Sequence, residues 1–576
     1  MLKTACWHLI FWGLYFTGTG FAEGPLRIVA TGGRMGTSTY RVSGSITAFR
    51  HRTPHMLGGA VDEMQVGFMN WVHGYTAEVA NSSAVTIEYA WLERASTGQI
   101  LPLTFEGERE FVMPADSEQA YFPADPIDSD LWTGAAPGQD EVFWVNVRGS
   151  LPVDGEVCMG SPATWPGAKF VVYDPVNAPG TFDTAGAVAS IPGQINRVLG
   201  LPLVFTGRYR EPGHLSVIGI GDSIMDGTGD SVSTLATISG FGFFNRSAVD
   251  EEGANAIAMF NLTRHGATSA IWNTASRQKQ FLPLANVVVE EFGTNDIGSR
   301  GTGNVDDLKT RLEGIWTQAR DAGVQKVLRT RLLPRCSSTD SFSSAENQTP
   351  NDGWGAGEKR DEINAYFDLA VGEGKLDGVV ETLVAVADPT DDHYWQTDGS
   401  AKYLTSDGTH LNATGNSVLA PVLRAALLAL EVDVEVDTYG EWSGRLDWQG
   451  QDDSPTADPN RDGLSNLGAY AYDLDPLAEV QAGDLPYLEV DTDTANGPWL
   501  DLIYRRNSSA GDLGYHLKAS DDLTGNWEDV FLNGLDVVEE TLDANPDGDG
   551  TAQLMRVRMK IATGDSQKFM CLTLRM

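Results

Sequence analysis

Ser223 lies in Gly221-Asp222-Ser223, directly after the short apolar run Leu215–Ile220. Such a run reads as a buried strand, so the serine falls on a strand-to-helix turn with its hydroxyl projecting from a sheet edge. That position suits a nucleophile. Gly221 permits the tight bend, and the first N–H groups of the following helix offer positive partial charge where an oxyanion would develop. The tripeptide alone is weak evidence, because Gly564-Asp565-Ser566 repeats it between flanks that look like a β-turn. A serine hydroxyl also needs a base to take its proton, and an imidazole serves best when a carboxylate fixes its tautomer. Of the nine histidines only His410 has an aspartate three residues upstream, in Asp407-Gly408-Thr409-His410. This loop precedes the amphipathic stretch Asn412–Leu430, so acid and base can be presented together at a helix start. Taken by itself, the same tetrapeptide reads as an Asp-Gly turn with a capping histidine. His265 and His393 read as ordinary polar or packing residues.

An oxyanion needs donors. Gly293-Thr294-Asn295-Asp296 follows a second apolar run, which puts the Asn295 amide at the same sheet edge as Ser223. Gly266, in Arg264-His265-Gly266-Ala267, offers an unobstructed backbone N–H, and the Ser223 N–H is a third donor. In isolation Asn295 is equally a loop residue bonding its own backbone, and Gly266 a turn glycine. In order along the chain, the blocks around Ser223, Gly266, Asn295 and Asp407-Gly408-Thr409-His410 resemble the four blocks of the SGNH (GDSL-type) hydrolases over residues 213–430. The resemblance implies a flavodoxin-like α/β/α domain and esterase-type acyl transfer that needs no cofactor. It also implies Ser223 as nucleophile, His410 as general base, Asp407 as its orienting acid, and Ser223 N–H, Gly266 N–H and Asn295 as oxyanion donors. Ile224 stands where the strict GDSL wording has Leu. Residues 1–212 and 431–576 lie outside the match.

The elements around these residues are legible in outline. Strands are expected at Leu215–Ile220, Ala285–Val289 and Lys326–Leu332. Between the last two, Val305, Leu308, Leu312, Ile315, Trp316 and Ala319 recur at helical spacing and predict a crossover helix with one buried stripe. Upstream, runs such as Ala84–Trp91 and Glu141–Val147 alternate between Gly, Pro and Asp turns, and strand-like runs return after Trp499. The expected organisation is multidomain: a signal peptide at 1–22, a β-rich domain at 23–212, the α/β hydrolase domain at 213–430, an acidic linker at 431–480 and a β-sandwich-like domain at 481–576. Residues 1–22 join one Lys to an apolar run and a small-residue end, the pattern of a secretory signal. No later window is long and apolar enough to span a membrane. Removal of the signal leaves Cys158, Cys336 and Cys571, an odd and scattered set that reads as core cysteines rather than a disulfide framework.

Charge excludes one class of partner. Forty Lys and Arg against 79 Asp and Glu give a net charge of −39, which repels a nucleic-acid backbone. In the linker, Asp458, Asn460, Asp462, Leu464 and Asn466 fall at positions 1, 3, 5, 7 and 9 of a calcium-loop pattern with Gly463 at position 6. The segment resembles the dockerin or thrombospondin type 3-like segments of secreted bacterial proteins and implies a structural calcium. Position 12, where a bidentate acid is expected, is Ala469, unless Asp473 or Asp475 compensates. The leading expectation is a secreted serine esterase acting on acylated carbohydrate, probed against three rivals: a lipase or phospholipase on longer acyl chains, an acyltransferase, and a non-catalytic carbohydrate-binding scaffold. Oligomeric state leaves no mark in the sequence.

Overall fold

The computed structural model describes residues 25–160, 168–177, 195–197, 201–210, 213–231, 241–298, 300–430, 450–472, 474–481 and 484–491, with shorter pieces and further strands beyond them. The expected signal, residues 1–22, lies outside the described residues. The chain divides into two units, one spanning 26–433 and the other holding the region from 434 onward.

In the first unit, a sheet is built around β1 (Gly33–Arg34), β2 (Val61–Phe68), β3 (Leu203–Tyr209), β4 (Ser216–Ile220), β5 (Ala258–Asn261), β6 (Val287–Glu290), β7 (Lys326–Thr330) and β8 (Gly378–Val380). Its order is β2-β3-β1-β5-β4-β6-β7-β8, with Phe122–Pro123 at the β2 edge. The last five strands are parallel, and among themselves they run second-first-third-fourth-fifth, the flavodoxin-like order that places a crevice at the carboxyl ends of β4 and β6. Strands buried on both faces need apolar residues throughout, which is why these segments read as continuous Val and Ile runs.

Helices cover both faces: α1 (Ser223–Asp226), α2 (Val305–Asp321), α3 (Lys359–Gly372) and α4 (Ala413–Leu428). Asn304 caps α2 by accepting from the Asp306 and Asp307 N–H groups, and the stripe expected from the sequence is its buried face. Strand side chains divide by alternation. Ile218, Ile220 and Val288 join Leu308, Leu312 and Trp316 of α2 and Phe367 of α3 in one core. Val217, Val287 and Val289 join Leu419, Leu423 and Leu427 of α4 in the other.

The β-rich region preceding this layer is not a separate body. Gly33 and Arg34 of β1 pair in parallel with Phe260 and Asn261 of β5, while Arg34 also pairs with Leu203 of β3. The sheet therefore runs across the expected 212/213 boundary, and Ile28, Met35, Met69, Trp71 and Val204 share a core with Phe260 and Phe281. A second sheet, including Ala48–Leu57, Val85–Arg94 and Val142–Ser150, completes a sandwich in which Phe49, Ile87 and Phe143 share a core with Val66, Phe68 and Phe205. Cys158 and Cys336 are buried free thiols, as core cysteines should be.

The second unit contains two antiparallel sheets, one with Tyr487–Asp491, Trp499–Asn507, Val537–Asp543 and Ala552–Lys560, the other with Gly514–Ser520, Glu528–Asp529 and Phe569–Arg575. Among the described residues no helix is long and apolar enough to cross a membrane.

Candidate active site

β4 ends at Ile220 and the chain turns through Gly221 and Asp222 into α1, whose first residue is Ser223. The helix is a single turn, because Gly227 adopts a left-handed conformation and a Cβ there would come 2.6 Å from the Gly242 Cα. The expected helix-terminal charge is correspondingly local: individual N–H groups, not a long dipole, face the serine. Ser223 is 5% exposed. Its Oγ lies 2.9 Å from His410 Nε2, and His410 Nδ1 lies 2.7 Å from Asp407 Oδ2. Asp407 Oδ1 also accepts from the backbone N–H groups of Thr409 and His410 at 2.9 and 2.8 Å. Partial burial works against the Asp407 charge, but the His410 ring and these N–H groups outweigh it and hold the carboxyl well below the usual range.

Hydrogen bonds join the remaining predicted residues to this turn. The Arg264 N–H donates to Gly221 O at 3.2 Å, seating the Gly266 loop beside the nucleophile turn. Gly266 has φ of +74°, and neither its N–H nor that of Ser223 finds an acceptor among the described residues. Both are therefore open to an oxyanion. Asn295 behaves differently: its amide donates to Asp222 Oδ2 at 3.0 Å and to Ala267 O at 2.9 Å. It reaches the expected edge, and can serve an oxyanion only by sharing or releasing one of those hydrogens.

Behind the turn sits a carboxyl that sequence reading missed. Glu291 Oε2 accepts from the Asp222 N–H at 2.9 Å and the Met225 N–H at 3.4 Å. Burial raises both carboxyls, reinforced at Glu291 by the charge of Asp222 and at Asp222 by that of Asp296. Glu290, one residue earlier, is paired with fully buried Arg329. The available signal was two consecutive acids ending an apolar strand. A second missed residue is Tyr75, brought from the β-rich region. Its hydroxyl lies 3.1 Å from His265 Nε2, and its ring lies 4.4 Å from the Arg264 guanidinium. His265 is thus part of the wall beside Gly266.

Two sets of residues could hold a metal. Asp361, Asp392 and His393 lie within ligand reach of one another, but the His393 ring nitrogens already meet Asp391 and Asp361, tying a loop to the start of α3. In the linker, Asp458 accepts from the Asp462 and Gly463 N–H groups at 3.2 and 3.0 Å, and Asp462 from Leu464 and Val480, both at 2.9 Å. The Asn466 amide donates to Asp452 O and Ser454 O at 3.0 and 2.9 Å, and Ala469 at position 12 is buried in the helix Asn466–Tyr472. Asn460 is joined to Asp462 by its own contacts, donating to Asp462 Oδ2 at 2.8 Å and accepting from the Asp462 N–H at 3.2 Å.

Residues 220–418 match the model of the GDSL-like lipase/acylhydrolase family, so the α/β layer is a domain of that class. That makes the chain an ester-hydrolysing enzyme. No curated protein matches the chain. Similar solved structures include a GDSL-like lipase from Bacteroides thetaiotaomicron, 18% identical, covering 37% of this chain and 87% of that one with a TM-score of 0.25. A lipase/acylhydrolase from Enterococcus faecalis is 18% identical over 37% of this chain and 94% of that one, with a TM-score of 0.26. A family two carbohydrate esterase from Clostridium thermocellum, solved with cellohexaose, is 13% identical over 70% of this chain and 94% of that one, with a TM-score of 0.28.

Proposed function

We propose that the protein is a secreted serine esterase that removes acetyl or similarly small acyl groups from carbohydrate. The observation that carries the reading is the continuous relay from Ser223 Oγ through His410 to Asp407. His410 Nε2 takes the hydroxyl proton as Ser223 Oγ attacks the ester carbonyl, and Asp407 stabilises the imidazolium that results. The Ser223 and Gly266 N–H groups receive the developing oxyanion, with Asn295 as a third donor. Collapse of this intermediate breaks the bond to the sugar oxygen, which takes the proton from His410. Water then repeats the sequence on the acyl-enzyme and frees the acid. No metal or cofactor enters these steps.

A small acyl group on a polar alcohol is favoured by the wall beside Gly266, where Tyr75, His265 and Arg300 present polar and aromatic groups rather than an aliphatic lining. The export expectation for residues 1–22 places the reaction outside the cytoplasm. Purified Ser223→Ala protein should lose hydrolysis of 4-nitrophenyl acetate by about 10⁴-fold or more. Unchanged hydrolysis would remove Ser223 from the role, and faster turnover of long-chain than of acetyl esters would favour a lipase.

A further inference from the structure

Arginines flank two of the three oxyanion donors, Gly266 and Asn295. A Cβ on Gly266 would meet Arg300 Nη1 at 2.4 Å, so this exposed guanidinium lies directly against the Gly266 loop. On the other side, Arg335 Nη1 approaches Thr294 O at 3.5 Å, one residue before Asn295, with its guanidinium 5.1 Å from the Trp354 ring. Arg264 adds a third positive charge, buried and donating to His73 O at 2.8 Å. None of the three makes an ion pair with a described carboxylate. The nearby acids are engaged elsewhere: Asp226 by Arg34, Asp296 by Ser269 and Arg311, Asp407 by His410. Asp222 and Glu291 are buried behind the turn, where burial favours their protonated forms.

This is unusual in a chain with a net charge of −39, which has abundant carboxylates to spend on its arginines. A cluster left unneutralised around the reacting centre focuses field there and attracts an anion that the rest of the surface repels. Tyr75, 52% exposed, sets an aromatic surface beside Arg300, and a planar guanidinium matches a carboxylate in two-point contact.

We propose that Arg300 and Arg335 select acyl esters bearing a nearby carboxylate, so that the substrate is an O-acylated acidic glycan built from uronate-type sugars. The inference rests on the serine-esterase reading and narrows its substrate class. Acetate release by the full chain is compared on O-acetylated polygalacturonate and O-acetylated xylan, at low and high ionic strength. The acidic polymer should be preferred, with the preference falling as salt rises. In the Arg300→Gln/Arg335→Gln double variant the ratio of the two kcat/KM values should drop about tenfold, mostly through KM, whereas the Arg300→Lys/Arg335→Lys pair should retain much of it. Equal or better use of xylan, or a ratio indifferent to the double variant, overturns the proposal. So does faster fatty-acid release from phosphatidylglycerol vesicles, which would assign the arginines to a lipid phosphate. Hydrolysis of 4-nitrophenyl acetate separates the two levels. If it persists without a charge preference, the substrate inference alone falls; if the wild-type protein lacks it, the esterase reading falls as well.

Discussion

Asp407 accepts hydrogen bonds from one imidazole and two backbone N–H groups, all of which favour its charged form. It therefore stays ionised through the range in which ordinary carboxyls titrate. Asp407→Asn should preserve the fold and lower kcat by about 10²–10⁴-fold, because an amide cannot balance the imidazolium; steady-state kinetics decide this. Glu291 makes the opposite pH argument. Its folded-state pKa lies above the unfolded value, so the native state keeps a proton that the unfolded chain releases, and stability falls as pH rises from about 4.3. Glu291→Gln should flatten that decline in denaturant titrations. Glu291→Ala should cost about 1–3 kcal/mol for each buried N–H left without an acceptor. The triad could be read from sequence because acid and base share one short loop. Glu291, Tyr75 and the arginines could not, since their roles arise from contacts between residues far apart in the chain.

The loop carrying Asp407 and His410 is held from outside as much as by its own turn. Gly408 O accepts from the Cys336 N–H at 2.9 Å and from Trp395 Nε1 at 3.0 Å, while Thr405 Oγ accepts from the Gly408 N–H at 2.9 Å. Gly408 itself has φ of +76°, and a Cβ there would lie 1.8 Å from Cys336 O. Gly408→Ala should thus cost about 2–4 kcal/mol and lower activity by displacing the triad loop, seen as a fall in both Tm and kcat. At this scale the long elements were legible: α2 shows the expected stripe, and β4, β6 and β7 lie within the expected runs apart from their ends. Ala258–Asn261 and Gly378–Val380 escaped notice because four and three residues give too little periodicity to separate a buried strand from a loop.

Across the molecule, the main surprise is the shared sheet. The two-residue strand Gly33–Arg34 joins the β-rich region to the α/β layer, and no composition change marks so short a link. A fragment of residues 213–430 would expose the β5 edge and the apolar surface now covered by Met35, Met69 and Trp71, and should aggregate. Residues 26–433 should instead unfold in one cooperative calorimetric transition; two separated transitions would contradict the shared core. The same joint brings Tyr75 to the Ser223 cleft, so loss of the β-rich region should alter substrate choice as well as stability. All of these arguments converge on one activated hydroxyl, and covalent capture tests it most directly. Full-length protein treated with a fluorophosphonate and mapped by peptide mass spectrometry should carry a single adduct on Ser223, with labelling lost in His410→Ala; an adduct elsewhere, or labelling indifferent to His410, would contradict the account.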